Sequence, residues 1–304
     1  MTRLGIEPAY TTPWGRAYHA DSLQLLRNMP SDSLSLIMTS PPFALRRKKA
    51  YGNVPASDYV EWFWPFAQEF KRILKPEGSF VFDLGGTWNP GKGTRSLYQY
   101  ELILRLSKIY YLAQEFFWYN PSKLPTPAEW VTVRRTRVKD AVTPLWWLSK
   151  TETPRADNRQ VLKPYSASMR RLLKEGYKAA RRPSQHEISV HFQRDNGGAI
   201  PPNLLSIPNT RSSDSYLDKC REAGLPIHPA RFPAGVPEFF IRFLTQPHDL
   251  VLDPFAGSNV TGRIAESLER RWISIEINGD YVAGSQYRFP NAVSRFVSPD
   301  AAAG

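Results

Sequence analysis

Short apolar runs and longer amphipathic stretches alternate in the first third of the chain. The apolar run 33–39 ends at two prolines, which cannot continue a central strand, so we predict a strand followed by a loop. Between Asp58 and Leu74 the large apolar residues recur with helical spacing. A second apolar run, 79–84, is closed by two glycines. The pattern further predicts a helix over 98–111 and strands over 114–119 and 142–148.

The last third of the chain returns to the same alternation. A strand over 249–253, a turn over 254–259, a helix over 260–269 and a strand over 271–276 follow one another. The segment 150–205 differs, because it is polar and basic with one predicted helix over 168–180. We interpret it as an insertion with a task of its own, and a solvated linker is the alternative.

Composition narrows the class of protein. Hydrophobic residues make up 41% of the chain, which supports a buried core. No run approaches the roughly 20 apolar residues that span a bilayer, and the first residues lack an apolar signal segment. We therefore expect a soluble, cytoplasmic protein that does not bind membranes. The net charge of +12 favours a polyanionic partner, of which nucleic acid is the commonest.

Cysteine and histidine are too sparse to build a metal site. Cys220 is the single cysteine, so no internal disulfide forms. The five histidines are scattered, and none forms a metal-ligand pair at helical spacing. We expect no structural metal.

A glycine turn follows the strand 249–253. It comprises Asp253, Pro254, Phe255, Ala256, Gly257, Ser258 and Asn259, and Glu276 ends the next strand. Nucleotide-type cofactors bind at the carboxyl end of such a strand, and an acid about 20 residues on can accept hydrogen bonds from ribose. The turn lacks the glycine spacing of a dinucleotide site and the lysine of a phosphate loop, which argues against NAD and ATP. An ordinary βαβ turn is the alternative.

A proline turn follows the strand 33–39. It comprises Ser40, Pro41, Pro42 and Phe43. The prolines have no backbone donor, but their carbonyls accept hydrogen bonds, and Ser40 adds a hydroxyl. Two acceptors that hold an exocyclic amine can stabilise the positive charge that develops when its nitrogen attacks, while Phe43 stacks on a flipped base. An ordinary strand-ending turn is the alternative.

The two turns together resemble those of the bacterial DNA amino-methyltransferases. The order of proline turn, basic insertion and glycine turn resembles the circularly permuted β group. Serine at position 40 is typical of the branch that methylates cytosine N4, and 44–53 is similar to the PvuII-type enzymes. The resemblance implies methyl transfer from S-adenosylmethionine to cytosine N4 in double-stranded DNA, with S-adenosylhomocysteine as product. Cys220 is then a bystander, since only cytosine C5 methylation needs a thiolate.

The same resemblance assigns further cofactor residues. It places Asp21 near the adenine, Glu276 at the ribose, and His228 within a segment, 228–233, that approaches the methionine end. The family usually has a second glycine where this chain has Asn259. We expect Asn259 either to stiffen the loop or to contribute a side-chain hydrogen bond.

The resemblance also implies the architecture. We expect an α/β three-layer sandwich with a mixed, mostly parallel seven-stranded sheet and a small target-recognition region. Residues 1–150 form the catalytic half, 151–205 the recognition region and 206–304 the half that binds S-adenosylmethionine. Both turns must then meet in one cleft, although they come from opposite ends of the chain.

The basic side chains are expected to bind DNA. Those beside the proline turn would contact the backbone, and those of the insertion would contact phosphates or guanine edges; they are Arg46, Arg47, Lys48, Lys49, Arg155, Arg159, Arg170, Arg171, Arg181 and Arg182. A solvated charge run is the alternative. A homodimer, a cognate restriction endonuclease and association with the bacterial nucleoid are further expectations from the resemblance.

Three rival functions stay open. The same scaffold can methylate adenine N6, and related catalytic loops methylate RNA or a protein amide. A DNA-binding protein without catalysis is the rival of another class. The paired turns argue against the last, and the permuted order with a large basic insertion argues for duplex DNA.

Overall fold

Ten strands form one sheet among the described residues of the computed structural model, which are 4–44, 54–176, 194–210, 215–231 and 233–294. The strands are β1 (Tyr10–Thr11), β2 (Gly15–His19), β3 (Leu34–Thr39), β4 (Leu74–Asp83), β5 (Tyr111–Tyr119), β6 (Val142–Ser149), β7 (Leu204–Ser206), β8 (Leu250–Asp253), β9 (Arg271–Glu276) and β10 (Val293–Ser294). The α-helices are α1 (Ser22–Arg27), α2 (Tyr59–Ile73), α3 (Tyr98–Leu106), α4 (Ala167–Glu175), α5 (Ser215–Glu222), α6 (Gly235–Leu244), α7 (Val260–Ser267) and α8 (Gly279–Ser285).

The sheet is mixed and mostly parallel, as expected. Its order is β10-β1-β2-β9-β8-β3-β4-β6-β5-β7. The five neighbours from β2 to β4 run parallel, and β6 is antiparallel to both β4 and β5. Seven longer strands form the body of the sheet. The three additional strands, β1, β7 and β10, have two or three residues each and extend its edges, and they are too short to leave a periodic pattern in the sequence.

The two ends of the chain contribute neighbouring strands at the centre of this sheet. Leu36 and Ile37 of β3 pair with Val251 and Leu252 of β8. The helix that follows β3, α2, packs on one face of the sheet, and the helix that follows β8, α7, packs on the other. A crevice opens at the carboxyl ends of two parallel strands whose connections diverge in this way. The proline turn and the glycine turn both begin there.

Alternation along the central strands supplies both cores. Ile37 of β3 and Phe80 of β4 face the cluster formed with α1, α2 and α3. Leu36 and Val81 face the opposite cluster, formed with α6 and α7. Because successive strand residues point to opposite faces, near-continuous apolar runs are needed where both faces are covered by helices. The three-layer sandwich is thus confirmed.

Some boundaries differ from the expected ones. β4 begins at Leu74 rather than at residue 79, because Leu74 already pairs with Leu34 before a register shift. α3 ends at Leu106, so β5 begins at Tyr111 rather than at residue 114. Within the described ranges, no helix is both long enough and apolar enough to cross a membrane.

Residues 157–202 form a second, small compact unit inside the predicted recognition segment. Its described part contains a 3₁₀ turn over Asn158–Val161 and α4. The Ser166 hydroxyl caps α4 by accepting from the Met169 amide at 3.2 Å, and Gly176 ends the helix. A bridge between Lys163 and Ala199 closes the unit. The expected helix was longer, and its positions from 177 lie outside the described residues.

Candidate active site

The proline turn and the glycine turn line one cleft of about 650 Å³, a size that suits small-molecule binding. All four residues of the proline turn line it, and so do the first six of the glycine turn. Asp21, His228 and Glu276, expected to bind the cofactor, also line it. Asn259 is the one predicted cofactor residue that does not. The expected convergence of the two turns is therefore present.

The buried carboxylate of Asp253, at the end of β8, connects the two turns. The hydroxyl of Thr39, the residue before Ser40, donates to Asp253 Oδ1 at 2.7 Å. Thr261 of α7 donates to Asp253 Oδ2 at 2.7 Å, and the Phe255 amide donates to Oδ1 at 3.1 Å. Burial raises the pKa of Asp253 to about 6, while these hydrogen bonds act in the opposite direction. Asp253 thus holds the loops in place with both of its oxygens.

The glycine turn is shaped by His228. Gly257 has φ +51°, and a Cβ there would lie 3.0 Å from the His228 ring, so a side chain is excluded by strain and by contact. His228 Nδ1 lies 2.5 Å from the Ala230 carbonyl, which can only accept, so Nδ1 carries the proton. Burial lowers the pKa of His228 to about 4. The ring is therefore neutral at pH 7, with Nε2 as an acceptor beside the glycine turn.

Asn259 provides side-chain hydrogen bonds at the position where a glycine was expected. It adopts a left-handed conformation with φ +55° and caps α7. Its Oδ1 accepts from the Gly262 amide at 3.1 Å and from the Ser274 hydroxyl at 2.5 Å, and its Nδ2 donates to the Tyr10 hydroxyl at 2.8 Å. Asparagine tolerates this conformation better than most residues. The departure from the family pattern is thus compensated by three bonds that fix the loop.

Two acids flank the cofactor side of the cleft. Glu276 Oε2 accepts from the Gly257 amide at 2.9 Å, and Oε1 accepts from the Asn278 amide at 2.8 Å. Burial raises the pKa of Glu276. Asp21 is exposed and caps α1, accepting from the Gln24 amide at 2.9 Å. Each carboxylate oxygen has a second lone pair, so both acids can still accept a hydrogen bond from a ligand.

The proline turn is held from behind by aromatic residues of α2 and α3. The Tyr59 hydroxyl donates to the Pro42 carbonyl at 2.8 Å. Phe43 packs against Gly85, where a Cβ would approach its ring to 2.5 Å. The Tyr98 hydroxyl donates to the Gly85 carbonyl, which holds this glycine in place. The Phe43 ring therefore lies at the cleft wall in a fixed position.

Asp83, at the end of β4, was not identified from the sequence. The Ser40 hydroxyl lies close enough to its carboxylate to lower the pKa of Asp83 as a hydrogen-bond donor, and Asp83 lines the cleft. Its Oδ1 is buried with no hydrogen-bond partner in the described part of the chain. Burial raises the pKa of Asp83 to about 7; the bond from Ser40 lowers it, and the nearby Asp253 raises it further. An apolar strand that ends in an acid gave no sign of this role, because only the order of the strands places Asp83 beside Ser40.

Comparison with known proteins identifies the family. The DNA methylase family matches residues 34–286 of the chain. The chain belongs to this DNA methylase family. It is 52% identical to the type II methyltransferase M.PvuII of Proteus hauseri over 294 residues, which cover 95% of this chain and 88% of that protein.

A solved structure shares the fold of this methylase. The PvuII DNA methyltransferase, described as cytosine-N4-specific, matches with a TM-score of 0.78 and 46% identity, covering 98% of this chain and 93% of the other. A more distant relative is the DNA adenine methyltransferase YhdJ of Escherichia coli (strain K12), which is 26% identical over 289 residues. That alignment covers 92% of the methylase and 84% of YhdJ.

The arginines expected to bind DNA have different surroundings in the methylase. Arg155 forms ion pairs with Glu77 at 2.8 Å and Asp249 at 3.2 Å, so a phosphate would have to compete with these two acids for its guanidinium. Arg159 and Arg171 are exposed and form local ion pairs, and Arg170 is exposed. The remaining residues lie outside the described ranges; they are Arg46, Arg47, Lys48, Lys49, Arg181 and Arg182.

Cys220 has the bystander position that was expected of it. It is buried on α5 beside Tyr216 and Leu217 and is not among the residues that line the cleft. In the described part of the chain, no group of three or more His, Cys, Asp or Glu side chains is arranged to hold a metal ion.

Replacement of Asn259 tests how the glycine turn is held. Asn259→Gly keeps the left-handed backbone but removes the three side-chain bonds, so we expect a loss of about 1–3 kcal/mol in the free energy of unfolding. Asn259→Ala should lose about 1–2 kcal/mol more, because alanine is strained in this conformation. Denaturant unfolding measures both variants. If the alanine variant is as stable as the glycine variant, the strain argument is wrong.

Proposed function

We propose that this methylase transfers a methyl group from S-adenosylmethionine to N4 of a flipped cytosine in double-stranded DNA. The observation that carries the proposal is the Thr39–Asp253 bond, which places the proline turn and the glycine turn on one cleft. The identity of 52% to M.PvuII and the cytosine-N4 specificity of the PvuII DNA methyltransferase support the choice of base.

The residues of the glycine turn fit a nucleoside cofactor. Gly257 lines the cleft, where its missing side chain leaves room for the His228 ring, and Glu276 offers acceptors for ribose hydroxyls. The neutral His228 presents Nε2 beside the same turn. S-adenosylmethionine supplies a methyl group on a sulfonium, which is a good leaving group and needs no metal. The expected product is S-adenosylhomocysteine.

Buried acids give the cleft a negative interior within a basic protein. Asp83, Asp253 and Glu276 all line it, and burial raises the pKa of each. A cation nearby favours the ionised form of a carboxyl group, so a bound sulfonium and these acids stabilise one another. The attraction weakens when the methyl has moved, because the product sulfur is neutral. This difference favours release of the product.

The proline turn offers two acceptors for the amine of the base. Tyr59 takes one lone pair of the Pro42 carbonyl, so we assign as one acceptor the Pro41 carbonyl, for which no partner is found among the described contacts. Ser40 Oγ is the other, because its proton is donated to Asp83 and its lone pairs remain for the amine. Phe43, fixed against Gly85, provides the stacking surface. Two acceptors stabilise the positive charge that develops on N4 during attack.

Asp83 is a positioning residue in this scheme, since it acts through Ser40. When ionised, it accepts the Ser40 proton and turns the hydroxyl lone pairs toward the cleft. When protonated, it can donate to Ser40 and occupy a lone pair that the amine needs. The pKa of about 7 places this change within the working range of pH.

DNA contacts outside the cleft are part of the proposal. Arg159, Arg170 and Arg171 of the small unit are exposed, and the local ion pairs of Arg159 and Arg171 are weak enough to be exchanged for phosphates. Residues 46–49, 155, 181 and 182 are likewise predicted to bind DNA. A homodimer, a partner endonuclease and association with the nucleoid in the cytoplasm also stay predictions.

Adenine N6 methylation is the second candidate function. It is favoured by the similarity to the DNA adenine methyltransferase YhdJ, which covers most of both chains. The identity is half of that to M.PvuII, at 26% against 52%. The same cleft would hold either base by its amine, so the modified base decides between the two.

Analysis of the product tests the function directly. The protein is incubated with mixed-sequence duplex DNA and S-adenosylmethionine, and the DNA is digested to nucleosides for mass spectrometry. We expect N4-methylcytosine. N6-methyladenine alone would replace the proposal with the second candidate, and methylation of single-stranded RNA in preference to duplex DNA would contradict the substrate.

Ser40→Ala tests the amine acceptor. Loss of one acceptor for developing charge should lower kcat by about 100-fold or more, while the affinity for S-adenosylmethionine measured by calorimetry is unchanged. Ser33→Ala is the matched control, because Ser33 lies before the same strand and its hydroxyl bonds only the Pro30 carbonyl among the described contacts. A Ser40→Ala enzyme with normal kcat would refute the assigned role.

The pH dependence tests Asp83. Ionised Asp83 is the active form, so kcat should fall as pH decreases through about 7. Asp83→Asn should lower kcat at high pH and remove this acidic limb, with little change in KM for DNA. Asp32→Asn, at an exposed site, is the control that should keep the limb. If kcat of Asp83→Asn still falls as pH decreases through about 7, another group causes the fall and this assignment is wrong.

A further inference from the structure

Two loops that leave the rim of the cleft are fastened to each other. Residues 85–97 follow β4, and residues 120–141 connect β5 to β6; we call them together the lip. Arg137 Nη2 donates to the Gly93 carbonyl at 3.0 Å. Asp140 Oδ2 accepts from Trp88 Nε1 at 3.1 Å and from Arg95 Nη1 at 2.5 Å. Hydrogen bonds and an ion pair therefore hold the two loops of the lip together.

A ladder of arginine and tryptophan side chains runs through the lip. The Arg95 guanidinium lies 5.2 Å from the Trp88 ring centroid, and the Trp88 and Trp130 rings stack at 6.3 Å. The Arg134 guanidinium lies 5.0 Å from the Trp130 ring. Both tryptophans are half-buried and both arginines are exposed. The stack holds Arg134 in a restricted position, which lowers the entropy that it loses on binding a ligand.

The lip is strongly basic. Its sequence contains seven basic side chains and two acidic ones, so it accounts for a large part of the net charge of +12. The acids, Glu129 and Asp140, are both engaged in ion pairs within the lip. Arg135 lies at the outer end beside Arg134, and both are exposed. An exposed surface with this excess of basic side chains attracts polyanions.

Both loops of the lip adjoin the reaction site. Residues 85–97 begin at Gly85, against the Phe43 ring and two positions after Asp83. The ends of residues 120–141 adjoin Trp118 and Thr143, and Lys123 lies within them; all three line the cleft. A base that enters the cleft from a duplex must bring its flanking phosphates past this rim.

We propose that the lip binds the phosphate backbone of duplex DNA beside the flipped base, mainly through Arg134 and Arg135. Phosphate binding is favoured over stacking on bases, because each indole ring already has a guanidinium and another indole against it. The lip lies outside the basic segment 150–205 and adds a second DNA contact surface. The inference rests on DNA as the substrate of the family, but not on which base is methylated.

The test is DNA binding by the full-length Arg134→Ala/Arg135→Ala variant over a series of salt concentrations. The probe is a duplex of mixed sequence, and binding is followed by fluorescence anisotropy. Each lost phosphate contact reduces the slope of log K against log salt by about one, so we expect a reduction of about two. Arg134→Lys/Arg135→Lys keeps the charges and should restore most of the slope.

Arg242→Ala is the matched control. Arg242 is exposed and forms a local ion pair with Glu238 at 3.0 Å, as Arg134 does with Glu129 at 2.7 Å. It lies in the last turn of α6, which leads into the start of β8, at the end of the sheet away from the cleft. This variant should keep the wild-type salt slope. Thermal unfolding and S-adenosylmethionine affinity should be unchanged in all three variants.

Two outcomes would overturn the proposal. An unchanged salt slope in the alanine variant means that the lip makes no phosphate contact. A loss of binding that depends on the DNA sequence, with the slope preserved, means that the arginines read bases instead. The salt slope does not depend on which base is methylated. If no N4-methylcytosine forms, a reduced slope still supports the phosphate contact, so the proposed function and this inference can fail separately.

Discussion

A single buried carboxylate, Asp253, connects the two ends of the chain at the point where the chemistry occurs. It binds Thr39 on β3 and Thr261 on α7, while β3 and β8 pair side by side. Because the parallel pairing has only two residue pairs in register, the Thr39–Asp253 bond fixes the relative height of the two turns. Removing one partner would leave a buried acid with fewer compensating hydrogen bonds, which is more costly than losing a surface contact. The cleft therefore depends on this bond before any ligand enters.

The acidic and basic side chains of the protein occupy different environments, one buried and the other exposed. Acids line the cleft, whereas the basic side chains of the lip and of the small unit are exposed. Burial raises the pKa of Asp83, Asp253 and Glu276, so each carries a cost that hydrogen bonds offset only in part. A cationic ligand would relieve this cost, while the anionic DNA backbone would meet the basic side chains that we propose to bind it. The arrangement suits a reaction that joins a cation and a polyanion.

Local motifs could be predicted from the sequence, and contacts between distant segments could not. The proline turn and the glycine turn are short, so residue types and strand endings identified both. The role of Asp83 could not be predicted, because its partner, Ser40, follows a different strand. Only the order of the strands in the sheet brings the two residues together. The ion pairs of Arg155 could not be predicted for the same reason, since Glu77 and Asp249 lie far from it along the chain.

The lip could not be predicted either, because it too depends on contacts between segments that are distant in the sequence. Its basic residues are as frequent as those of the segment 150–205, and four of them lie within 134–139, but the sequence does not show that this cluster lies near the cleft. Only the fold brings Trp88 and Trp130 together and places Arg134 beside them. The small extra strands at the sheet edges were missed because two or three residues cannot display a period.

The pairing of Ser40 with Asp83 gives a physical reason for serine at the first position of the proline turn. A carboxylate in direct contact with the amine would place a full charge in the cleft, where burial already raises the pKa of Asp83 to about 7. Serine places a neutral acceptor against the amine and keeps the charge one hydrogen bond behind it. In the proposed scheme, Asp83 Oδ1, which has no hydrogen-bond partner among the described residues, adds to the negative potential of the carboxylate, and Ser40 transmits this potential to the attacking nitrogen. The hydroxyl thus becomes a stronger acceptor as positive charge grows on N4, which is the moment when stabilisation lowers the barrier.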